Sequence, residues 1–114
     1  MKKFILLFVF IVYMKVLFVC NQNKHRSKTA EEIFKDKFET KSAGLFGGEL
    51  IDEKSLSWAD VVCVMEDFQR AEIGKRFPSL YLKKKIISLD VPDVYSRGQI
   101  ELISLLRGKV SKII

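Results

Sequence analysis

The run Lys15-Val16-Leu17-Phe18-Val19-Cys20 is of strand length, rich in Val and Phe, and apolar at successive positions. A strand that is apolar on both faces belongs in a sheet covered above and below, so this segment predicts layered architecture rather than an open sheet. It runs into a polar loop, Cys20 to Arg26. After the loop, Ser27 to Phe38 reads as a helix with Ala30, Ile33, Phe34 and Phe38 on one face and Glu and Lys on the other. Strand, loop and helix open a βαβ unit, and the alternation continues along the chain. A short strand is expected around Glu39 to Ala43, ended by Gly44, and a loop from Leu45 to Leu50 containing Gly47 and Gly48. Asp60 to Met65 reads as a second buried strand, Glu66 to Phe77 as a helix closed by Pro78, and Lys85 to Leu89 as a fourth strand. Asp90 to Arg97 is then a loop and Gly98 to Leu106 a terminal helix. The expected fold class is α/β, a three-layer α/β/α arrangement with a four-stranded parallel sheet. Ligands bind such sheets outside the carboxyl ends of the strands. Two of those ends carry reactive polar residues, Cys20 to Ser27 and Asp90 to Tyr95.

Composition narrows the class further. With 114 residues, 48% hydrophobic and 30% charged, the chain suits one globular domain and excludes both a disordered tail and a second large domain. Two cysteines far apart in sequence do not make a disulfide scaffold, and a single histidine argues against a Cys/His zinc cluster, so no metal is expected. The formal charge of +6 makes the surface mildly anion-seeking. The basic residues are scattered, and the densest run, Lys83 to Lys85, reads as a solvated strand entrance. Without a basic helix or an aromatic stacking ladder, a nucleic-acid partner has no support.

Phe4 to Tyr13 is unbroken apolar sequence after Lys2 and Lys3. The run is interrupted at Lys15, shorter than the ~20 residues that span a bilayer, and no small-residue cleavage pattern follows. Because Met14 stands just before the buried strand, residues 1–13 are expected to be an apolar extension from an upstream start and residues 14–114 the working domain. A membrane anchor, with the domain on the cytoplasmic side, and a cleaved signal are the alternatives, and membrane association is expected only through residues 1–13. The expected localisation is cytoplasmic.

The segment Cys20-Asn21-Gln22-Asn23-Lys24-His25-Arg26-Ser27 carries the chemistry. A loop of this length between a strand and a helix can curl around a tetrahedral oxyanion. The backbone N–H groups of Asn21, Gln22, Asn23, Lys24, His25, Arg26 and Ser27 would then turn inward, with the helix N-terminus adding its partial positive charge. Arg26 can grip two oxygens with its planar fork, which a lysine cannot do. A thiolate is stabilised by the same field, which makes Cys20 the candidate nucleophile in a phosphate-binding loop after the first strand of the sheet.

This loop and the helix behind it resemble the low-molecular-weight protein tyrosine phosphatase family, whose signature is a cysteine, five residues, then Arg-Ser. Further segments are similar to the family's, in its order: Ala30-Glu31, Ser42-Ala43-Gly44, Trp58-Ala59-Asp60 through Val64-Met65-Glu66, and Val91-Pro92-Asp93-Val94-Tyr95. The resemblance runs from Met14 to about Leu106. It implies Cys20 as nucleophile, Arg26 as phosphate clamp, Ser27 as hydroxyl donor to the thiolate, Asn23 as the brace of the loop and Asp93 as general acid. The chain departs from the pattern at Gln22, where many members have glycine, at Lys28, often proline, and at Val94, where proline follows the acid. Gln22 is expected to strain the loop if its position needs positive φ, at roughly 1 kcal/mol. Val94 is expected to leave the Asp93 loop less rigid. A short stretch between Gly44 and Trp58 brings the chain near a compact bacterial and archaeal branch of predicted phosphatases.

Asp90 competes with Asp93 for the acid role. Asp93 is favoured because Pro92-Asp93-x-Tyr95 matches the family placement, and Asp90 would then cap the strand end. Tyr95 could line the substrate slot. Phe46 could wall the slot or fold back onto the core. His25 could raise the positive potential of the loop or be solvated. Cys63, flanked by Val61, Val62 and Val64, reads as a core residue, and Trp58 as a core or helix-end residue. The expected activity is hydrolysis of phosphate monoesters through a phosphocysteine, without cofactor, on a phosphorylated protein or an aryl phosphate such as phosphotyrosine. The competing functions are a phosphocysteine carrier, an arsenate reductase-like thiol relay on the same fold, and a phosphate-binding module of little catalytic power.

Overall fold

The computed structural model describes the backbone of residues 3–7 and 10–12 and all of residues 13–114; of the expected extension, residues 1, 2, 8 and 9 lie outside the described residues. Strands β1 (Lys3–Leu7) and β2 (Phe10–Tyr13) pair antiparallel as a sheet of their own. Among the described residues no helix is long and apolar enough to cross a membrane.

The main sheet has four parallel strands in the order β4-β3-β5-β6. These are β3 (Lys15–Cys20), β4 (Glu39–Gly44), β5 (Val61–Val64) and β6 (Lys85–Ser88), with helices α1 (Arg26–Phe34), α2 (Glu53–Trp58), α3 (Asp67–Arg76), α4 (Pro78–Lys83) and α5 (Ile100–Ser111). The expected α/β class and three layers are present. The strand taken as first is third in the chain, because the sequence N-terminal to it also forms strands.

Alternation along β3 assigns its side chains to two cores. Val16, Phe18 and Cys20 pack with Ala30 and Phe34 of α1 and with Leu102, Leu106 and Val110 of α5. Leu17 and Val19 pack on the opposite face with Leu56 of α2 and Ile73 of α3, flanked by Leu80 and Tyr81 of α4. Every residue from Val16 to Val19 is fully buried, as a strand apolar on both faces requires. From β3 the chain crosses to β4 on one side and then returns past β3 to β5 on the other. That reversal opens a crevice at the carboxyl end of β3, the topological switch point of an open parallel sheet.

Two helices escape the periodicity reading. α2 and α4 have six residues each, too few for an apolar period to repeat. Asp52 caps α2: its carboxylate accepts from the Ser55 N–H at 2.7 Å, and this bond to the backbone, with a second from the Ser55 side chain, holds it below its ordinary range. Pro78 opens α4 rather than leading into coil, because the first helical position needs no N–H donor. α1 ends at Phe34, before the expected Phe38, although Phe38 remains buried beneath it. α5 starts at Ile100 and runs on to Ser111, burying Val110 beyond the expected end at Leu106. The Lys83–Lys85 run is not simply solvated: the Lys84 ammonium donates to the carbonyls of Ser57 and Ala59 at 2.9 and 2.7 Å, tying α4 to the end of α2.

Candidate active site

Cys20 ends β3 at the crevice, and the chain then turns through Asn21–His25 into α1. The Cys20 thiol lies 3.0 Å from the Ser27 hydroxyl on the first turn of α1. The Asn23 side chain donates to that hydroxyl at 2.8 Å and accepts from the Glu49 N–H at 3.2 Å. Asn23 takes φ 52°, which its short polar side chain tolerates. Gln22 does not take positive φ, so the strain expected there is absent; the left-handed residue of the loop is its neighbour.

The turn after β4, which contains Gly47 and Gly48, braces the loop from one side. Leu45 and Phe46 donate their N–H groups to the carbonyls of Cys20 and Asn21 at 3.0 and 2.8 Å. A Cβ on Gly47 would meet the Gln22 side-chain amide, the end of a flexible chain that can move aside. On Gly48, at φ +67°, it would stand 2.7 Å from Asn23 Cβ. At Gly48 only glycine fits. On the other side Gln69 of α3 donates to Asn21 Oδ1 at 3.0 Å while its own oxygen accepts from the N–H groups of Met65 and Glu66.

Arg26 is the largest fully buried side chain of the described residues. Its Nη1 donates to Glu66 Oε1 at 2.5 Å and to the Val91 carbonyl at 2.7 Å, so the guanidinium cannot swing. Those bonds leave the Nε–Nη2 edge as a pair of parallel donors for an oxyanion. Asp93 Oδ1 lies 3.7 Å from Nε. Cys20, Gln22, Lys24, His25, Arg26 and Asp93 line one cavity of about 140 Å³. Among the described residues, no hydrogen bond takes up the backbone N–H groups from Gln22 to Ser27. The loop at a helix N-terminus, a buried guanidinium and a thiol thus meet around a space that suits a small oxyanion.

The other expected residues lie elsewhere. Tyr95 is half-buried against the core beneath α1 and α5 and does not line the cavity. Phe46 is exposed, with the Arg76 guanidinium 5.0 Å above its ring, and is also outside the cavity. Asp90 is exposed, at φ 57°, just beyond β6, and takes no part in the cavity lining. His25, by contrast, does line the cavity; it is half-buried, and its Nδ1 accepts the Arg97 N–H at 3.1 Å in an exposed hydrogen bond. Trp58 ends α2 with the Lys41 ammonium 4.6 Å above its ring. Cys63 is fully buried in β5, and burial pushes its thiol up to about 12. Glu66 and Gln69 are the residues that sequence reasoning missed as parts of the site. The signal was present: an acid directly beyond a buried strand of a parallel sheet sits at the ligand-binding edge. Among the described residues no cluster of His, Cys, Asp or Glu is arranged to hold a metal ion.

No family model and no curated protein matches the chain. Solved structures do. The tyrosine phosphatase amsI of Erwinia amylovora is similar with TM-score 0.72 and 18% identity, over 93% of this chain and 94% of that one. The tyrosine phosphatase Wzb of Escherichia coli K30, solved with phosphate, aligns with TM-score 0.70 and 17% identity, over 89% and 96%. The YwlE arginine phosphatase of Geobacillus stearothermophilus aligns with TM-score 0.66 and 22% identity, over 86% of each chain. The chain has the fold of these phosphatases.

Proposed function

We propose that the chain is a phosphomonoesterase, a protein tyrosine phosphatase of the low-molecular-weight type, acting through a phosphocysteine. One observation carries the reading: Cys20, the loop residues Gln22, Lys24 and His25, the pinned Arg26 and Asp93 share a single cavity. The Cys20 thiolate attacks phosphorus in line, the S–P bond forming as the ester P–O bond breaks. The loop N–H groups and the Nε–Nη2 edge of Arg26 hold the equatorial oxygens, and the Asp93 carboxyl gives its proton to the departing oxygen. Water then attacks the phosphocysteine and passes a proton to the Asp93 carboxylate. The S–P bond breaks, inorganic phosphate leaves and the thiolate is restored. Ser27, 3.0 Å from sulfur, is suited to donate to the thiolate in both steps.

The substrate class in this proposal is a phosphorylated protein or an aryl phosphate, acted on in the cytoplasm, where a free Cys20 stays reduced. Residues 14–114 form the proposed catalytic unit. The test is turnover of p-nitrophenyl phosphate by the full chain, with rapid acid quenching to trap a phosphoryl group on Cys20. Release of nitrophenol with a trapped phosphocysteine is the expected result. A trapped phosphoryl group without continued turnover would instead indicate a carrier, and no reaction at all a binding module.

A further inference from the structure

The segment between β6 and α5 carries Asp93 but has no regular structure, and Val94 follows the acid where proline would have stiffened the backbone. The hold on this loop comes from four residues further on. The Arg97 N–H donates to His25 Nδ1 at 3.1 Å, and the next N–H, of Gly98, donates to Thr29 Oγ1 at 3.0 Å. The Thr29 hydroxyl in turn donates to the His25 carbonyl at 2.7 Å, and the Arg97 guanidinium pairs with Glu32. Side chains from the start of α1 thus grip two consecutive residues of the acid loop. Gly98 takes φ +77°, a turn that glycine makes without strain.

His25 stands at the N-cap position of α1, where a side chain ordinarily bonds to the first N–H groups of its own helix; here it makes no such bond and reaches instead to Arg97. Its Nδ1 accepts, so the neutral ring carries its hydrogen on Nε2. His25 also lines the cavity with Cys20 and Asp93. We infer that His25 is a positioning residue that fastens the acid loop to the phosphate loop and so sets where the Asp93 carboxyl stands against the leaving oxygen. The catalytic part of this inference rests on the phosphatase reading; the clasp itself does not.

Two measurements on the full chain separate them, each made on His25→Ala, His25→Asn and Thr29→Val. Asparagine restores an acceptor close to where Nδ1 stands, while alanine removes it. The first measurement is amide hydrogen exchange. The Arg97 amide is expected to be protected in the wild type and to exchange about tenfold faster or more in His25→Ala, with recovery in His25→Asn; Thr29→Val, outside the cavity, should release the Gly98 amide in the same way. The second is kcat on phenyl phosphate relative to p-nitrophenyl phosphate, with inhibition by inorganic phosphate as a check on the cavity. A displaced acid should lower that ratio by about tenfold in His25→Ala, while His25→Asn returns it to near the wild-type value and phosphate inhibition stays within about threefold. An unchanged ratio in His25→Ala despite a released Arg97 amide would overturn the positioning role. So would an equal fall on both esters with weakened phosphate inhibition, which would mean that His25 serves the phosphate loop alone. An unprotected Arg97 amide in the wild type would remove the clasp. If the wild type hydrolyses neither ester, the phosphatase reading fails and takes the positioning role with it, while exchange still decides whether the clasp exists.

Discussion

Cys20 and Cys63 lie on neighbouring strands of one sheet and face the same core, with Cys63 in register with Phe18, two residues before Cys20. Both are shielded from solvent, at 3% and 0% exposure. Their surroundings nonetheless differ completely. Cys63 is enclosed mid-strand, and desolvation alone disfavours its thiolate strongly enough to push it up to about 12. Cys20 stands where the strand ends, with a hydroxyl at 3.0 Å, a helix N-terminus beside it and a cavity lined by Lys24, His25 and Arg26 in front. Burial alone therefore does not decide what a cysteine does. What decides is whether the atoms around sulfur can take part in stabilising negative charge.

The strongest way to break this comparison is to exchange the proposed nucleophile. Cys20→Ser is expected to lose turnover by on the order of 10⁴–10⁶-fold while inorganic phosphate still binds, because the amide cradle and Arg26 remain and the hydroxyl is not ionised by them. Turnover near the wild type would take Cys20 out of the mechanism.

Next in size is the proposed acid. Asp93→Asn should slow esters with poor leaving groups by ~10²–10⁴-fold and esters of nitrophenol much less, since the latter leave without a proton. Kinetics across a series of aryl phosphates reads this directly. Asp90→Asn, outside the cavity, should leave the series unchanged, and a leaving-group effect there instead would reassign the acid.

Arg26→Lys is expected to cost more than tenfold in kcat/KM although the charge is kept. A lysine cannot hold Glu66 and the Val91 carbonyl and also present two parallel donors to phosphate. A loss of tenfold or less, ~1.4 kcal/mol, would mean that the fork is not used in the transition state.

The smallest effects belong to Cys63. Cys63→Ala should leave turnover near the wild type and cost about 1–3 kcal/mol of stability, measured by denaturant unfolding. A thiol raised in the folded state holds its proton there more tightly than in the unfolded chain. Its contribution is complete below its ordinary value of 9.0 and is lost as pH rises toward about 12. Wild-type stability should therefore fall more steeply over that alkaline range than that of Cys63→Ala. Equal slopes would show that Cys63 titrates freely. Alkylation sharpens the same contrast: iodoacetamide should modify Cys20, with phosphate protecting it, and reach Cys63 only on unfolding.

Much of this was legible from neighbouring residues alone. The two-faced apolar run of β3, the helical period of α1 and the Cys20-to-Arg26 spacing are local properties, because backbone geometry repeats over two or fewer than four residues and leaves its period in the sequence. So is the left-handed Asn23, whose side chain is short and polar. The partners of those residues were not legible. Arg26 meets Glu66 at a separation of 40 positions and the Val91 carbonyl at 65, and His25 meets the Arg97 amide at 72. Such contacts depend on strand order and on which way the chain crosses the sheet, and no period records either. α2 and α4 were hidden for a related reason, since a six-residue helix owes its stability to packing rather than to its own pattern. Tyr95 marks the same boundary. Its place two residues after Asp93 suggested the slot, but the direction of the backbone after β6 lays it half-buried against the core instead. The sequence by itself determined the strand, loop and helix that carry Cys20 and Arg26. The tertiary structure decided which side chains meet there, because a side chain reaches only what the sheet brings within a few ångströms of it.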